Sequence, residues 1–179
     1  MPVPGVSSVD VDNVGGASLA TEHLIGLGRR RIGCIAGPLD ACSGSDRTEG
    51  FQAAMRAALL DDSLLVEGDW TSLSGAEGMR RLLTQEPRID GVVASSDVMA
   101  LGALHALREA GRRVPQDVAV VGFDDIDLAR HASPPLTTIR QPAAYQAQRM
   151  IDVLLARLEG GVEDSAVELP VDLVVRESA

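Results

Sequence analysis

Residues 118–125 have the sequence VAVVGFDD, in which six apolar or small residues precede two acidic ones. An unbroken apolar run that is rich in valine is typical of a strand that helices cover on both faces. Asp124 and Asp125 follow at the point where such a strand leaves its sheet. The stretch therefore predicts a central strand of a parallel sheet, with a polar loop that begins at the carboxyl end of the strand.

Strands and helices alternate on the N-terminal side of this run. Further apolar strands are predicted at residues 32–36, 64–66 and 89–94, and a short alternating strand at residues 8–11. Helical periodicity occupies residues 17–27, 46–60, 74–85 and 97–110. This order of elements predicts an α/β fold, in which a parallel sheet carries helices on both faces.

The alternation stops on the C-terminal side of the run. Residues 124–135 predict a loop, and residues 137–141 predict an extended crossing segment. Residues 144–158 predict an amphipathic helix, and residues 167–175 predict a final strand that Pro170 interrupts. The apolar stripe of the helix consists of Met150, Ile151, Val153, Leu154, Leu155 and Leu158. A stripe of this breadth needs a partner, because burying such side chains is favourable.

The composition excludes several classes of protein. The 179 residues carry a formal net charge of −10, which repels a nucleic acid unless a local basic patch overrides it, so we do not expect direct binding to a duplex. Two cysteines cannot build a disulfide framework. The chain opens without a signal-peptide pattern and has no apolar stretch long enough to span a bilayer. We therefore expect a cytoplasmic protein that does not bind membranes.

Polar loops follow the predicted strands, and in an open parallel sheet ligands bind beyond the carboxyl ends of the strands. These loops bring a guanidinium, a carboxylate, hydroxyls and one indole to the same edge of the sheet. A carboxylate accepts hydrogen bonds from hydroxyls, arginine donates to oxygen atoms, and an indole offers a flat apolar surface to a pyranose ring. The set therefore predicts a site for a sugar or polyol.

Each of these residues also has a purely structural interpretation. Aspartate and serine are favoured at helix N-caps, and Asp46 and Asp97 fit that role. The alternative for Trp70 is that it covers a hydrophobic edge. Catalysis is a weaker hypothesis, because the three histidines are scattered and no nucleophile, phosphate-loop or metal-cluster signature is present. We therefore expect neither an enzyme nor a bound cofactor or metal.

Short motifs follow one another in a specific order along nearly the whole chain. They include Glu22-His23-Leu24-Ile25, Gly37-Pro38, Ser96-Asp97-Val98-Met99-Ala100-Leu101-Gly102, Gly122-Phe123-Asp124-Asp125 and Pro135-Leu136-Thr137-Thr138-Ile139-Arg140-Gln141-Pro142. In this order they resemble the lactose/galactose repressor family, whose effector-binding domain is similar to the periplasmic binding proteins. The resemblance implies two similar lobes that close on a small effector. It also implies a homodimer that binds operator DNA through a helix-turn-helix headpiece.

The resemblance implies a ligand-binding set of Ser43, Arg47, Trp70, Ser96, Asp124 and Gln141. Within this set, Arg47 and Asp124 would hold ligand hydroxyls, and Trp70 would stack on the ligand. The segment around Gln141 would cross between the lobes. Ala41 stands where a purine-binding relative carries an arginine, so we expect a carbohydrate rather than a purine.

The resemblance also implies that this chain is one part of a regulator. Residues 14–140 and 166–179 would form the C-terminal lobe, residues 1–13 and 142–160 would be remnants of the N-terminal lobe, and the headpiece would lie outside the chain. We therefore expect the ligand-sensing domain of a bacterial transcription regulator. The alternative is a stand-alone or remnant carbohydrate-binding module with no regulatory role. With a partial N-terminal lobe, the apolar stripe of residues 144–158 should pack irregularly or stay exposed and drive self-association.

Overall fold

The computed structural model describes residues 7–159 and 166–179, and within them eight strands and six helices. The strands are β1 (Ser8–Val11), β2 (Ile32–Ala36), β3 (Leu65–Glu67), β4 (Gly91–Ala94), β5 (Ala119–Asp124), β6 (Thr137–Arg140), β7 (Ala166–Leu169) and β8 (Asp172–Val174). The helices are α1 (Asn13–Gly26), α2 (Cys42–Ala57), α3 (Ser72–Gln85), α4 (Asp97–Glu109), α5 (Asp127–Arg130) and α6 (Ala143–Leu158). None of these helices combines the length and the apolar character that crossing a membrane requires.

Six strands form one sheet in the order β3-β2-β4-β5-β6-β8. Neighbouring strands run parallel, except that β8 is antiparallel to β6. Strand β5, predicted from the VAVVGF run, lies inside the sheet, and its first five residues are buried. Helix α1 packs against α2, and α3 packs against α4. The predicted α/β fold with a parallel sheet is confirmed.

The core of the sheet is mostly aliphatic, and aromatic residues make up only 2% of the sequence. Leu24, Ile35 and Leu107 are fully buried, and Phe51 and Phe123 are the buried rings. Cys34 is also buried in β2, and this burial raises the pKa of its thiol to about 12. A thiol that stays protonated in an apolar environment is a packing group rather than a nucleophile.

The chain divides into two compact units. The larger unit contains residues 13–140 and 172–179, and therefore the whole six-stranded sheet. The described part of the smaller unit contains residues 7–12, 141–159 and 166–171. In it β1 and β7 form a two-stranded parallel sheet, and α6 packs on β1.

The end of the chain differs from its prediction. The pattern at residues 167–175 predicts one final strand of the C-terminal lobe, whereas the structure contains two strands, one on each side of Pro170. Because proline has no N–H to donate, it interrupts a ladder of backbone hydrogen bonds. Strand β7 pairs with β1, and β8 pairs with β6. Residues 166–171 consequently lie in the smaller unit, and Asn13 lies in the larger one.

Helix α6 presents the expected apolar stripe to solvent. None of its residues is buried. Ile151 is 51% exposed, Leu154 is 57% exposed and Leu158 is 75% exposed, and Met150 and Leu155 are also more than half exposed. Exposed apolar side chains in one contiguous stripe promote association.

We expect the chain to self-associate through this stripe, and Leu154→Glu to weaken the association, because the change places a charge at the centre of the apolar surface. Sedimentation velocity over a concentration series should show an average mass that rises with concentration for the wild type and rises less for the variant. Leu59→Glu is the control, since Leu59 is 93% exposed and lies in the larger unit. A strictly monomeric wild type, or equal effects of the two substitutions, would contradict the expectation.

Candidate functional site

A pocket of about 290 Å³ opens in the larger unit, where the loops after β2, β3, β4 and β5 meet. Its lining residues are Ser43, Arg47, Trp70, Ser96, Val98 and Asp124. The structure therefore brings together five of the six residues in the predicted ligand-binding set and adds Val98. The sixth, Gln141, belongs to the smaller unit. Val98 has no donor or acceptor side chain, so polar chemistry could not single it out in the sequence.

A larger groove of about 550 Å³ lies in the smaller unit, beside β1 and α6. Its lining surface is mostly apolar and includes Val9, Met150 and Leu154. Binding sites for small polar ligands need convergent donors and acceptors in addition to volume. The smaller pocket around Arg47 has such groups, so it is the better candidate for a ligand site.

Arg47 is the fixed centre of this pocket. It lies on α2 and is 7% exposed. Its Nε donates to Asn13 Oδ1 at 2.8 Å, and its Nη1 donates to the Ser95 carbonyl oxygen at 2.6 Å and to Asp124 Oδ1 at 3.3 Å. The guanidinium carbon stands 3.7 Å from the centre of the Phe123 ring. Because these contacts hold the side chain in one orientation, a ligand that binds to it does not have to order a flexible arginine.

Asp124 and Asp125 are adjacent in sequence, but their side chains point to different partners. Asp124 ends β5 and faces Arg47 and the pocket. The Asp125 side chain is only 5% exposed, and it accepts hydrogen bonds from Arg140 Nε at 2.7 Å and Arg176 Nη2 at 2.5 Å. Burial by itself would raise the pKa of Asp125, but the two guanidinium groups hold that pKa below its ordinary value. Asp125 is thus a charged anchor for the loop, and Asp124 is the carboxylate available to a ligand.

Trp70 lines the pocket and also packs on the core, so it covers an apolar edge, and its stacking on a ligand stays a prediction. Its φ of 69° lies in the left-handed region, which few large residues adopt. The ring lies against Gly37, where a Cβ atom would come within 2.1 Å of the indole. Gly37 therefore makes room for the ring, and the indole becomes one wall of the pocket, 5.7 Å from the Arg47 guanidinium.

The structure corrects the helix N-cap roles that the sequence suggests for Asp46 and Asp97. Ser96, rather than Asp97, is the N-cap of α4, and its hydroxyl accepts from the Met99 amide at 3.2 Å. Asp46 caps no helix, because α2 begins one turn earlier, at Cys42. Ser43 lies in the first turn of α2. Ser96 therefore combines the capping role with a place in the pocket lining.

The pocket offers an arrangement of groups that suits a polyhydroxylated ligand. A guanidinium supplies donors, a carboxylate supplies acceptors, two hydroxyls do both, and an indole supplies an apolar wall. Within residues 7–159 and 166–179, no group of three histidine, cysteine, aspartate or glutamate residues is arranged to hold a metal ion.

The chain is similar to known proteins along nearly its whole length. The model of the periplasmic binding protein-like domain matches residues 21–179. The sequence is 46% identical to the HTH-type transcriptional regulator CelR of Thermobifida fusca over 99% of this chain and 53% of that protein. The chain thus spans about half the length of the curated relatives that it matches.

Solved structures are also similar to this chain over nearly its whole length. A complex of the transcriptional regulator CelR with cellobiose has a TM-score of 0.97 at 46% identity, and the match covers 100% of this chain and 56% of that one. A lac repressor dimer bound to operator and the anti-inducer ONPF has a TM-score of 0.91 at 34% identity, over 96% of this chain and 60% of that one.

Proposed function

Because the chain belongs to the periplasmic binding protein-like family, in the form that the lactose/galactose repressors carry, we propose that it is the effector-sensing part of a bacterial transcription regulator. In this role it binds a small sugar, and the bound sugar changes the affinity of the whole regulator for operator DNA. The observation that carries the proposal is the convergence of Arg47, Asp124 and Trp70 on one pocket.

The chemistry of the pocket supports a neutral sugar over an anionic ligand. Arg47 already forms an ion pair with Asp124, so the net charge of the pair is close to zero. Each partner can still exchange hydrogen bonds with a hydroxyl: the guanidinium donates and the carboxylate accepts. Trp70 offers a face on which the C–H surface of a pyranose can stack. A sugar satisfies all three groups at once.

We propose a β-linked glucose disaccharide of the cellobiose type as the effector. Support comes from the CelR–cellobiose complex, which matches this chain over its whole length with a TM-score of 0.97. Gln141 is proposed as a further ligand contact on the family resemblance. The intact regulator is proposed to be a cytoplasmic homodimer without catalytic activity, and its operator contacts are assigned to a helix-turn-helix segment outside the present sequence.

Regulation follows if the sugar favours one of two conformations of the whole protein. A ligand shifts such an equilibrium only by its difference in affinity for the two states, and the shift is reciprocal between the two sites. Sugar binding should therefore change operator affinity by the same factor by which operator binding changes sugar affinity. The stand-alone binding module differs from the regulator in this respect, because it would bind sugar without any coupling to DNA.

The test is calorimetric titration of the longest gene product that contains this chain with cellobiose, D-ribose and adenine. We expect saturable binding of cellobiose and none of adenine. Trp70 is the only tryptophan of this chain, so a change in the emission of the chain on binding would report from the pocket itself. Cellobiose binding without any change in operator affinity would favour the stand-alone module. If none of a panel of sugars binds, the proposal is contradicted.

A further inference from the structure

The corner that follows β5, Asp124 to Ile126, adopts an unusual backbone conformation. Asp124 has a φ of 117° and Asp125 a φ of 57°, two consecutive left-handed residues without a glycine. L-residues seldom adopt this region, and they remain there only where the surroundings hold them. Since the corner carries the Asp124 carboxylate into the pocket, whatever holds the corner also sets the geometry of the site.

Asp97 holds this corner from the first turn of α4. It is fully buried, and its Oδ2 accepts a hydrogen bond from the Ile126 amide at 2.9 Å. Its Oδ1 accepts one from Thr138 Oγ1 in β6 at 2.5 Å. A Cβ atom on Gly122 would lie 2.2 Å from Oδ1, so the carboxylate is pressed against the backbone of β5. One side chain thus joins α4, the β5 corner and β6.

We propose that Asp97 is a positioning residue of the effector site, which holds the corner so that Asp124 faces Arg47 and the pocket. The inference deepens the proposed function and rests on it for the identity of the ligand. Asp97 does not line the pocket; it acts through the Ile126 amide. Its neighbour Ser96 caps α4 and lines the pocket. The N-terminus of α4 therefore supplies both a residue of the pocket wall and the residue that holds the corner after β5.

The charge of Asp97 is sensitive to its surroundings. The pKa of Asp97 is raised to about 7. Burial is the largest cause and the charges of Asp124 and Asp125 add to it, while the hydrogen bonds from Thr138 and Ile126 act in the opposite direction. The cations that face this cluster are each paired: Arg47 with Asp124, and Arg140 and Arg176 with Asp125. The carboxyl group therefore changes charge near neutral pH.

The direction of the effect on stability follows from the two pKa values. The ordinary pKa is 3.8 and the folded one is about 7, so between these values the folded chain binds more protons than the unfolded one. The contribution of Asp97 to stability is therefore complete below pH 3.8 and is lost as the pH rises towards 7. Asp97→Asn keeps the shape of the side chain and does not titrate. The asparagine oxygen can accept the hydrogen bond from the Ile126 amide, and its NH2 group can donate one to the Thr138 hydroxyl.

The experiment compares wild type, Asp97→Asn, Asp97→Ala and the control Glu77→Gln, an exposed site on α3. Hydrogen exchange at the Ile126 amide reports on the corner without any ligand. The dissociation constant for cellobiose reports on the site, and the melting temperature between pH 4 and pH 7 reports on the titration. We expect Asp97→Ala to speed exchange at Ile126 and to weaken cellobiose binding by about tenfold, the factor for one lost buried hydrogen bond.

Asp97→Asn should restore slow exchange and most of the affinity, and should flatten the fall in melting temperature from pH 4 to pH 7. Unchanged Ile126 exchange or unchanged cellobiose affinity in Asp97→Ala would overturn the proposal. If Asp97→Ala does not fold, Ile126 exchange and cellobiose affinity in Asp97→Asn decide: values close to those of the wild type support the role, and fast exchange with unchanged affinity overturns it. If the wild type does not bind cellobiose while the exchange and pH results are as expected, the proposed ligand is wrong and the positioning role stands.

Discussion

Replacing Asp124 by alanine is expected to weaken effector binding by about 30-fold or more. The change removes the acceptor that faces the pocket, and a hydrogen bond to a charged group is worth on the order of 2 kcal/mol, with about 1.4 kcal/mol for each factor of ten. Alanine also lacks the side-chain oxygen that helps aspartate and asparagine to tolerate a φ of 117°. The loss should appear in the dissociation constant for cellobiose, measured by calorimetry.

The fold should survive this substitution, because Arg47 keeps its bonds to Asn13 and to the Ser95 carbonyl oxygen. Asp124→Asn is the matched variant: it preserves the shape and one acceptor oxygen, so the loss of affinity should be smaller. Asp127→Ala, three residues further along and exposed, should bind like the wild type. Equal affinities for wild type and Asp124→Ala would show that the pocket is misassigned.

Replacing Gly102 by alanine is expected to destabilise the fold strongly, although the substitution adds only one methyl group. A Cβ atom at this position would lie 2.0 Å from the Ser72 carbonyl oxygen and 2.8 Å from the Ala76 amide nitrogen. The obstacles are backbone atoms of α3, which cannot rotate away. Helices α3 and α4 would have to separate, and overpacking of this kind costs about 3 kcal/mol, a large share of the roughly 5–15 kcal/mol that stabilises a domain.

The matched control for this prediction is Gly26→Ala. Gly26 is the last residue of α1, and a Cβ atom there meets nothing within 4 Å. Alanine restricts the unfolded chain more than glycine does, so this substitution should stabilise the protein by about 0.5 kcal/mol. In urea denaturation, the midpoint should therefore be lower than that of the wild type for Gly102→Ala and higher for Gly26→Ala. Similar midpoints for the two variants would mean that the contact between α3 and α4 is looser than the structure shows.

The parallel sheet and the position of the site were predictable because both depend on local pattern. Apolar runs such as residues 118–123 identify strands that are buried on both faces, and the helical spacing between them implies a parallel order. In such a sheet the carboxyl ends of the strands share one edge. The loops after the strands could be grouped for this reason, and the family resemblance then singled out Ser43, Arg47, Trp70, Ser96 and Asp124. The structure places all five around one pocket.

The tertiary structure alone decided the features that depend on pairing between distant residues. Residues 167–175 predict one final strand that Pro170 interrupts, but β7 pairs with β1 and β8 pairs with β6, and no local signal specifies these partners. The sequence around Asp97 predicts an ordinary helix cap, and only the tertiary structure brings Ile126 and Thr138 within hydrogen-bond distance of its carboxylate. Periodicity records which face of an element is buried, whereas partners and backbone angles are set by contacts between segments remote in sequence.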